Sequence, residues 1–270
     1  MSMDDVKTRG LVLLGCGKMG SAMLKGWLDG GLPATSVTVL APRPSDWVKS
    51  TGVHINTALP TDPAVVLIAV KPQKMAEALP TLRALGNGST VFLSVAAGIT
   101  LAAYEEMLGA RTPIVRAMPN TPSAVGRGIT GIVGNACVTG AQLDLADTLL
   151  QAVGQVVRLE TESQMRALTA VSGCGPAYVF HLIEAMAAAG EKAGLSAELA
   201  LQLARATVGG AGHLAENSDE TPTQLRINVT SPNGVTAEAL RVLMSEDDGF
   251  VPLLDRAIQA AMTRDAELAE

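Results

Sequence analysis

The chain has 270 residues, with 20 Lys and Arg against 26 Asp and Glu, for a formal net charge of −6. That balance, with no basic run, leaves no electrostatic footprint for nucleic acid, and the length allows two modest domains or one large one. Aromatic residues make up only 3% of the chain, so its core has to be aliphatic.

Residues 1–10 lack a basic region followed by an apolar one, and the longest apolar run, residues 64–70, is far too short to span a bilayer. A soluble cytoplasmic protein is expected. Leu11-Val12-Leu13-Leu14 reads as a short buried strand ending at Gly15-Cys16-Gly17-Lys18-Met19-Gly20, and Met19, Ala22, Met23 and Trp27 then recur at helical spacing. This is strand, glycine turn, helix. Further strands are expected at Val37-Thr38-Val39-Leu40 and over residues 65–70, 91–95, 114–116 and 129–133. Strands alternating with helical stretches predict right-handed parallel βαβ units covered on both faces, a Rossmann-like doubly wound sheet in an α/β fold.

After Glu160 the pattern changes. Residues 163–191, 197–216, 236–244 and 251–268 read as helices with no clear strand among them, which divides the chain into a dinucleotide-binding domain over residues 1–160 and an all-α domain over residues 161–270. Gly173-Cys174-Gly175-Pro176 should break or kink the first of these helices, because proline removes a donor and clashes with the preceding turn. The Ala- and Leu-rich helices carry more apolar surface than the domain can hide alone, which predicts a subunit interface. His181 and His213 lie in helical stretches and are assigned structural roles.

The three cysteines, Cys16, Cys137 and Cys174, are widely spaced, and His54, His181 and His213 show no ligand spacing, so no metal site is expected. In the glycine loop, Gly15 permits a tight turn, Gly17 lets the backbone approach a pyrophosphate, and Gly20 lets the helix pack on its strand. The helix start supplies N–H donors and partial positive charge. The second strand ends Leu40-Ala41-Pro42-Arg43-Pro44-Ser45, without the acid that binds a ribose 2′-hydroxyl. Arg43 and Ser45 are instead available for a 2′-phosphate, so NADPH is favoured over NADH.

Ser231-Pro232-Asn233-Gly234-Val235-Thr236 runs into another helical stretch, where backbone N–H groups of residues 233–236 can hold a small anion. Thr236 also has a structural role available, as N-cap of the helix that follows. Together the two loops describe a small carboxylate held against a dinucleotide. Lys192 is the only lysine after Lys74, which leaves no lysine acid early in the helical domain. A hydroxyacid dehydrogenase of the same architecture needs such a lysine and is the nearest enzymatic alternative. A nicotinamide-binding sensor without turnover is another.

These two segments, with Ala69-Val70-Lys71-Pro72-Gln73, Arg116-Ala117-Met118-Pro119-Asn120-Thr121-Pro122 and Ser172-Gly173-Cys174-Gly175-Pro176-Ala177-Tyr178, resemble the pyrroline-5-carboxylate reductases in order along nearly the whole chain. The family usually has glycine where this chain has Asn233, threonine or alanine at Val235, and serine at Cys174. The resemblance implies hydride transfer from NAD(P)H to the cyclic imine pyrroline-5-carboxylate, giving L-proline in the last step of its biosynthesis. It also implies dimers, or larger assemblies, built through the helical domain. It maps Asn56, Val70, Lys71, Pro72 and Ala97 beside the cofactor and Asn228, Val229, Ser231 and Gly234 along the substrate pocket. Thr236 becomes the catalytic candidate, its hydroxyl contacting substrate near the imine nitrogen.

Overall fold

The computed structural model describes residues 1–268. Eight strands form one sheet in the order β3-β2-β1-β4-β5-β6-β7-β8. They are β1 (Leu11–Leu14), β2 (Val37–Leu40), β3 (His54–Ile55), β4 (Val65–Ile68), β5 (Val91–Ser94), β6 (Ile114–Met118), β7 (Gly128–Gly134) and β8 (Gly154–Arg158). A strand's side chains alternate between faces, and here the alternation sorts them into two cores. Leu11, Leu13, Val65, Leu67, Val91 and Leu93 join one buried cluster, while Val12, Leu14, Val66, Ile68 and Phe92 join another. The β1 and β4 runs lack polar residues because both faces are covered.

The first cluster is closed by α2 (Lys18–Asp29) and α6 (Gly140–Gln151), through Met23, Leu24 and Trp27 and through Leu145, Leu149 and Leu150. The Trp27 indole donates to the Leu149 carbonyl at 2.8 Å, which tethers the two helices. The second cluster is closed by the short α4 (Met75–Ala78), the 3-10 segment Leu79–Leu85, and α5 (Leu101–Leu108). Small peripheral helices α1 (Met3–Arg9) and α3 (Asp46–Ser50) complete this half.

One expectation needs correction. The sheet is not parallel throughout, because β7 runs antiparallel to β6, with Val115 opposite Gly134 and Met118 opposite Gly131. The connector between them holds only the 3-10 turn Thr121–Val125, too short for a crossover, so the chain must double back. The helical stretch over residues 163–191 is broken as expected, into three pieces: α7 (Gln164–Leu168), a π-helical turn Thr169–Gly173, and α8 (Gly175–Lys192). The break falls at the glycine and proline cluster, where Pro176 sits in the first turn of α8. Its missing N–H costs nothing there.

The helices that follow are α9 (Ala197–Asn217), α10 (Pro222–Asn228), α11 (Val235–Leu243) and α12 (Phe250–Leu268). By its internal contacts the chain forms two compact units: residues 1–173 with the end of α12 from Met262, and residues 174–261. The second unit has little core of its own, with Ala187, Ala200 and Ala204 its buried apolar cluster and Ile183 packed against it. Phe180, Ile227, Val242 and Val251 are 60%, 51%, 59% and 80% exposed. A helical unit in this state is unfinished unless another surface covers it.

Candidate active site

The carboxyl ends of β2, β1, β4 and β5 are stitched side by side. Gly15 N–H donates to the Leu40 carbonyl at 2.8 Å, Ala69 N–H to Leu14 at 2.8 Å, and Val95 N–H to Ile68 at 3.0 Å. The order reverses at β1, since β2 lies on one side and β4 on the other. That switch point is where open α/β sheets bind ligands. A cleft of about 440 Å³ opens instead at the amino-terminal ends of β1, β2 and β3, lined by Lys7, Thr38, His54 and Thr57 among others, and none of the motifs reaches it.

In the glycine loop each residue has a physical reason. Gly15 has φ +87°, and a Cβ there would lie 2.8 Å from Val70 Cγ1 and 2.9 Å from the Ala69 carbonyl. A Cβ on Gly20 would come within 2.6 Å of the Gly15 carbonyl, so α2 packs directly on the loop. Gly17 is different. It is the N-cap of α2, offers no side-chain cap, and a Cβ added there would meet nothing within 4 Å. The first N–H groups of α2, at Lys18, Met19 and Gly20, have no intrahelical acceptor. Free donors beside empty space, at the positive end of a twelve-residue helix, form a cradle that fits a pyrophosphate. Burial pushes the Cys16 thiol up, so it stays protonated beside Ser21.

The segment after β2 is positioned by Asn56, which adopts φ 51°. Its amide accepts from Ala41 N–H at 3.0 Å and donates to the Ala41 carbonyl at 2.9 Å. Asn56 is thus a clamp on the backbone leading into Pro42, Arg43 and Pro44. Ser45 caps α3 through Val48 N–H at 3.3 Å. Arg43 is exposed and has no ion-pair partner among the described residues, which leaves its guanidinium available to a phosphate. Val70 abuts Gly15, exposed Lys71 caps a 3-10 turn that begins at Pro72, and Ala97 is exposed in the loop after β5.

In the second unit, Gly234 N–H donates to the Ser231 carbonyl at 3.0 Å across Pro232 and Asn233. Proline second and a positive φ third, 57° at Asn233, is the signature of a type II turn. Asparagine tolerates that region, so it can stand where glycine is usual. The expected N-cap role of Thr236 is not what the structure shows: the cap is Gly234, Val235 is the first helical residue and Thr236 the second. The helix begins two residues earlier than the capping pattern implied. Thr236 is exposed, and its hydroxyl has no hydrogen-bond partner among the described residues, so it is free for another partner. The N–H groups of Val235 and Thr236, in the first turn of α11, likewise have no intrahelical acceptor.

Asn228 is engaged within its own unit, accepting from Gln224 Nε2 at 2.8 Å and donating to Glu220 at 2.9 Å. Val229 is 66% exposed beside it, and Ser231 is exposed at the start of the turn. His181 and His213 are exposed rather than core residues, pairing locally with Glu184 and Asn217. Sequence reasoning overlooked Glu162, whose carboxylate binds both Arg116 and the start of α5. Only contact over a long chain separation reveals it.

A glycine loop opening α2 at the switch point, accompanied by a helical unit, is the arrangement of a two-unit nicotinamide-dinucleotide oxidoreductase. The family model described as pyrroline-5-carboxylate reductase dimerisation matches residues 162–268, and the one described as NADP oxidoreductase coenzyme F420-dependent matches residues 10–98. The chain is 40% identical to the pyrroline-5-carboxylate reductase of Pseudomonas aeruginosa over 98% of both chains, and 37% identical to that of Mycobacterium tuberculosis over 96% of both. Among solved structures, a pyrroline-5-carboxylate reductase from Coxiella burnetii superposes with a TM-score of 0.92 at 35% identity, covering 97% of this chain and 99% of that one. The Plasmodium falciparum pyrroline carboxylate reductase with NADP bound gives 0.81 at 29% identity, over 98% and 99%. The chain belongs to the pyrroline-5-carboxylate reductase family.

Proposed function

We propose that this protein reduces pyrroline-5-carboxylate to L-proline with NADPH, closing proline biosynthesis. The observation that carries the reading is the pairing, in one chain, of an open pyrophosphate cradle at Gly17 with an anion-binding turn whose Thr236 hydroxyl is unspent. NADPH supplies the hydride that reduces the imine carbon. The protein's part is to bind and orient. The N–H groups of Lys18, Met19 and Gly20 hold the pyrophosphate, and Arg43 and Ser45 select the 2′-phosphate, with NADH the weaker donor.

The substrate carboxylate is assigned to the first N–H groups of α11, with Ser231 and Gly234 shaping the turn and Asn228 and Val229 flanking it. The Thr236 hydroxyl is assigned to the imine nitrogen, where a hydrogen bond withdraws charge from C=N and favours hydride arrival at carbon. No lysine in the helical unit lies early enough to act as the base that takes the hydroxyl proton in hydroxyacid oxidation. The domain division at residues 160 and 161 stands as a functional proposal, supported by a dimerisation-family match that starts at residue 162. A cytoplasmic location is proposed on the free cysteines Cys16, Cys137 and Cys174, which suit a reducing compartment. No helix of the described residues is long and apolar enough to cross a membrane.

The test is spectrophotometric: NADPH oxidation by purified protein with pyrroline-5-carboxylate, the six-membered piperideine-2-carboxylate, or a β-hydroxyacid pair. Turnover with the five-membered imine supports the reading. Turnover confined to the oxoacid of that pair, or with no substrate at all, overturns it.

A further inference from the structure

The loop after β5, residues 95–100, carries Ala97, the residue assigned beside the cofactor at the end of the fourth strand from the edge. Dinucleotides lie across the switch point, so with Arg43 after β2 holding the adenosine half, the β4 and β5 ends face the nicotinamide half. This loop has few bonds of its own. The N–H groups of Ala97, Gly98, Ile99 and Thr100 have no acceptor among the described residues, and Gly98 sits at φ +77° with nothing within 4 Å of its Cβ direction. Beside the packing of Val95, Ala96 and Ile99 on the two cores, a polar pin fixes each end of the loop.

At the start, Ala96 N–H donates to Ser94 Oγ at 3.2 Å, and Ser94 shares a buried hydrogen bond of 2.5 Å with the Tyr104 phenol on α5. Burial pushes that phenol up to about 12, so it keeps its proton. At the end, Leu101 N–H donates to Glu162 Oε1 at 2.9 Å, and the same oxygen receives Arg116 Nη1 at 2.6 Å. Arg116 is opposite Ser94 in the β5–β6 register, and its side chain is only 11% exposed. Gly98, Thr100, Arg116 and Glu162 line one cleft of about 260 Å³. Two strands and the segment after β8 therefore converge on a loop whose middle N–H groups are unpartnered among the described residues.

We propose that Glu162, braced by Arg116, is a positioning residue for the nicotinamide subsite: its carboxylate fixes the far end of the 95–100 loop and so the surface on which the nicotinamide half of NADPH rests. The inference rests on the NADPH-reductase reading. Its test uses binding constants, so a wild-type protein that bound NADPH but reduced no imine would sink the substrate assignment and leave this test intact.

Dissociation constants are measured for NADPH, by fluorescence titration, and for 2′,5′-ADP, which occupies only the adenosine half. Glu162→Ala should raise the NADPH constant about tenfold, the scale of one charge-assisted hydrogen bond, and leave 2′,5′-ADP within about twofold. Glu162→Gln keeps an oxygen for Leu101 N–H and should recover most of the loss. Arg116→Gln, should the alanine variant fail to fold, is expected to weaken NADPH alone by about threefold. An unchanged NADPH constant in the variants, or a parallel rise in both constants, overturns the proposal.

Discussion

Thr236 shows how two residues of register change a mechanism. As a cap, its hydroxyl would be spent on the helix; as the second residue of α11 behind Gly234, it has no partner among the described residues. Thr236→Ala should therefore lower kcat/KM for the imine by about one to two decades, the loss of a hydrogen bond of roughly 1.5–3 kcal/mol. The melting temperature should stay within about a degree, because no cap is removed. Thr236→Ser should retain activity. A drop in melting temperature with full activity would return Thr236 to a structural role. Arg43 is judged the same way: with no ion-pair partner among the described residues, Arg43→Ala should cost NADPH roughly tenfold in kcat/KM and NADH little. An unchanged ratio of the two cofactors' efficiencies would remove Arg43 as the discriminator.

Among elements, the glycine loop and α2 were legible in the sequence because their signals are local: an apolar run, three glycines and a helical period. The same holds for β4, whose four apolar residues announce burial on both faces, and for β2 and β5, where three apolar residues carry a single polar one, Thr38 and Ser94. The direction of β7 was not legible, since it follows from the shortness of its connector rather than from its own residues. Asn56 and Glu162 were opaque for a related reason. Their partners, Ala41 and Leu101, stand 15 and 61 residues away.

Two glycines of the loop separate stability from binding. Gly17→Ala meets no protein atom within 4 Å, so the fold should be intact while the methyl group occupies pyrophosphate space and NADPH affinity falls at least about tenfold. Gly20→Ala drives a Cβ to 2.6 Å from the Gly15 carbonyl and should cost about 1–3 kcal/mol of stability as well. Thermal melts beside NADPH titrations read both. Equal melting temperatures for the two variants would show that α2 does not pack on the loop as described.

For the whole molecule, the helical unit explains why the chain is not self-sufficient. Its buried apolar cluster is three alanines, while Phe180, Val242 and Val251 lie open, and the dimerisation-family match over residues 162–268 supports a homo-oligomer. Light scattering at micromolar concentration should return at least twice the mass of one chain; a monomer would contradict it. The sequence conveyed the excess of apolar helix surface but not its geometry, because which faces remain uncovered depends on how α8 and α9 pack.

The central claim is that this chain delivers a hydride to an imine carbon. The measurement that tests it most directly is the fate of isotope: NADPH deuterated at the transferable C4 position, incubated with the protein and pyrroline-5-carboxylate, and the product analysed by mass spectrometry and NMR. The account predicts L-proline carrying one deuterium at ring carbon 5, the former imine carbon. Proline without the label, or label recovered only in a hydroxyacid or left on the cofactor, would contradict it.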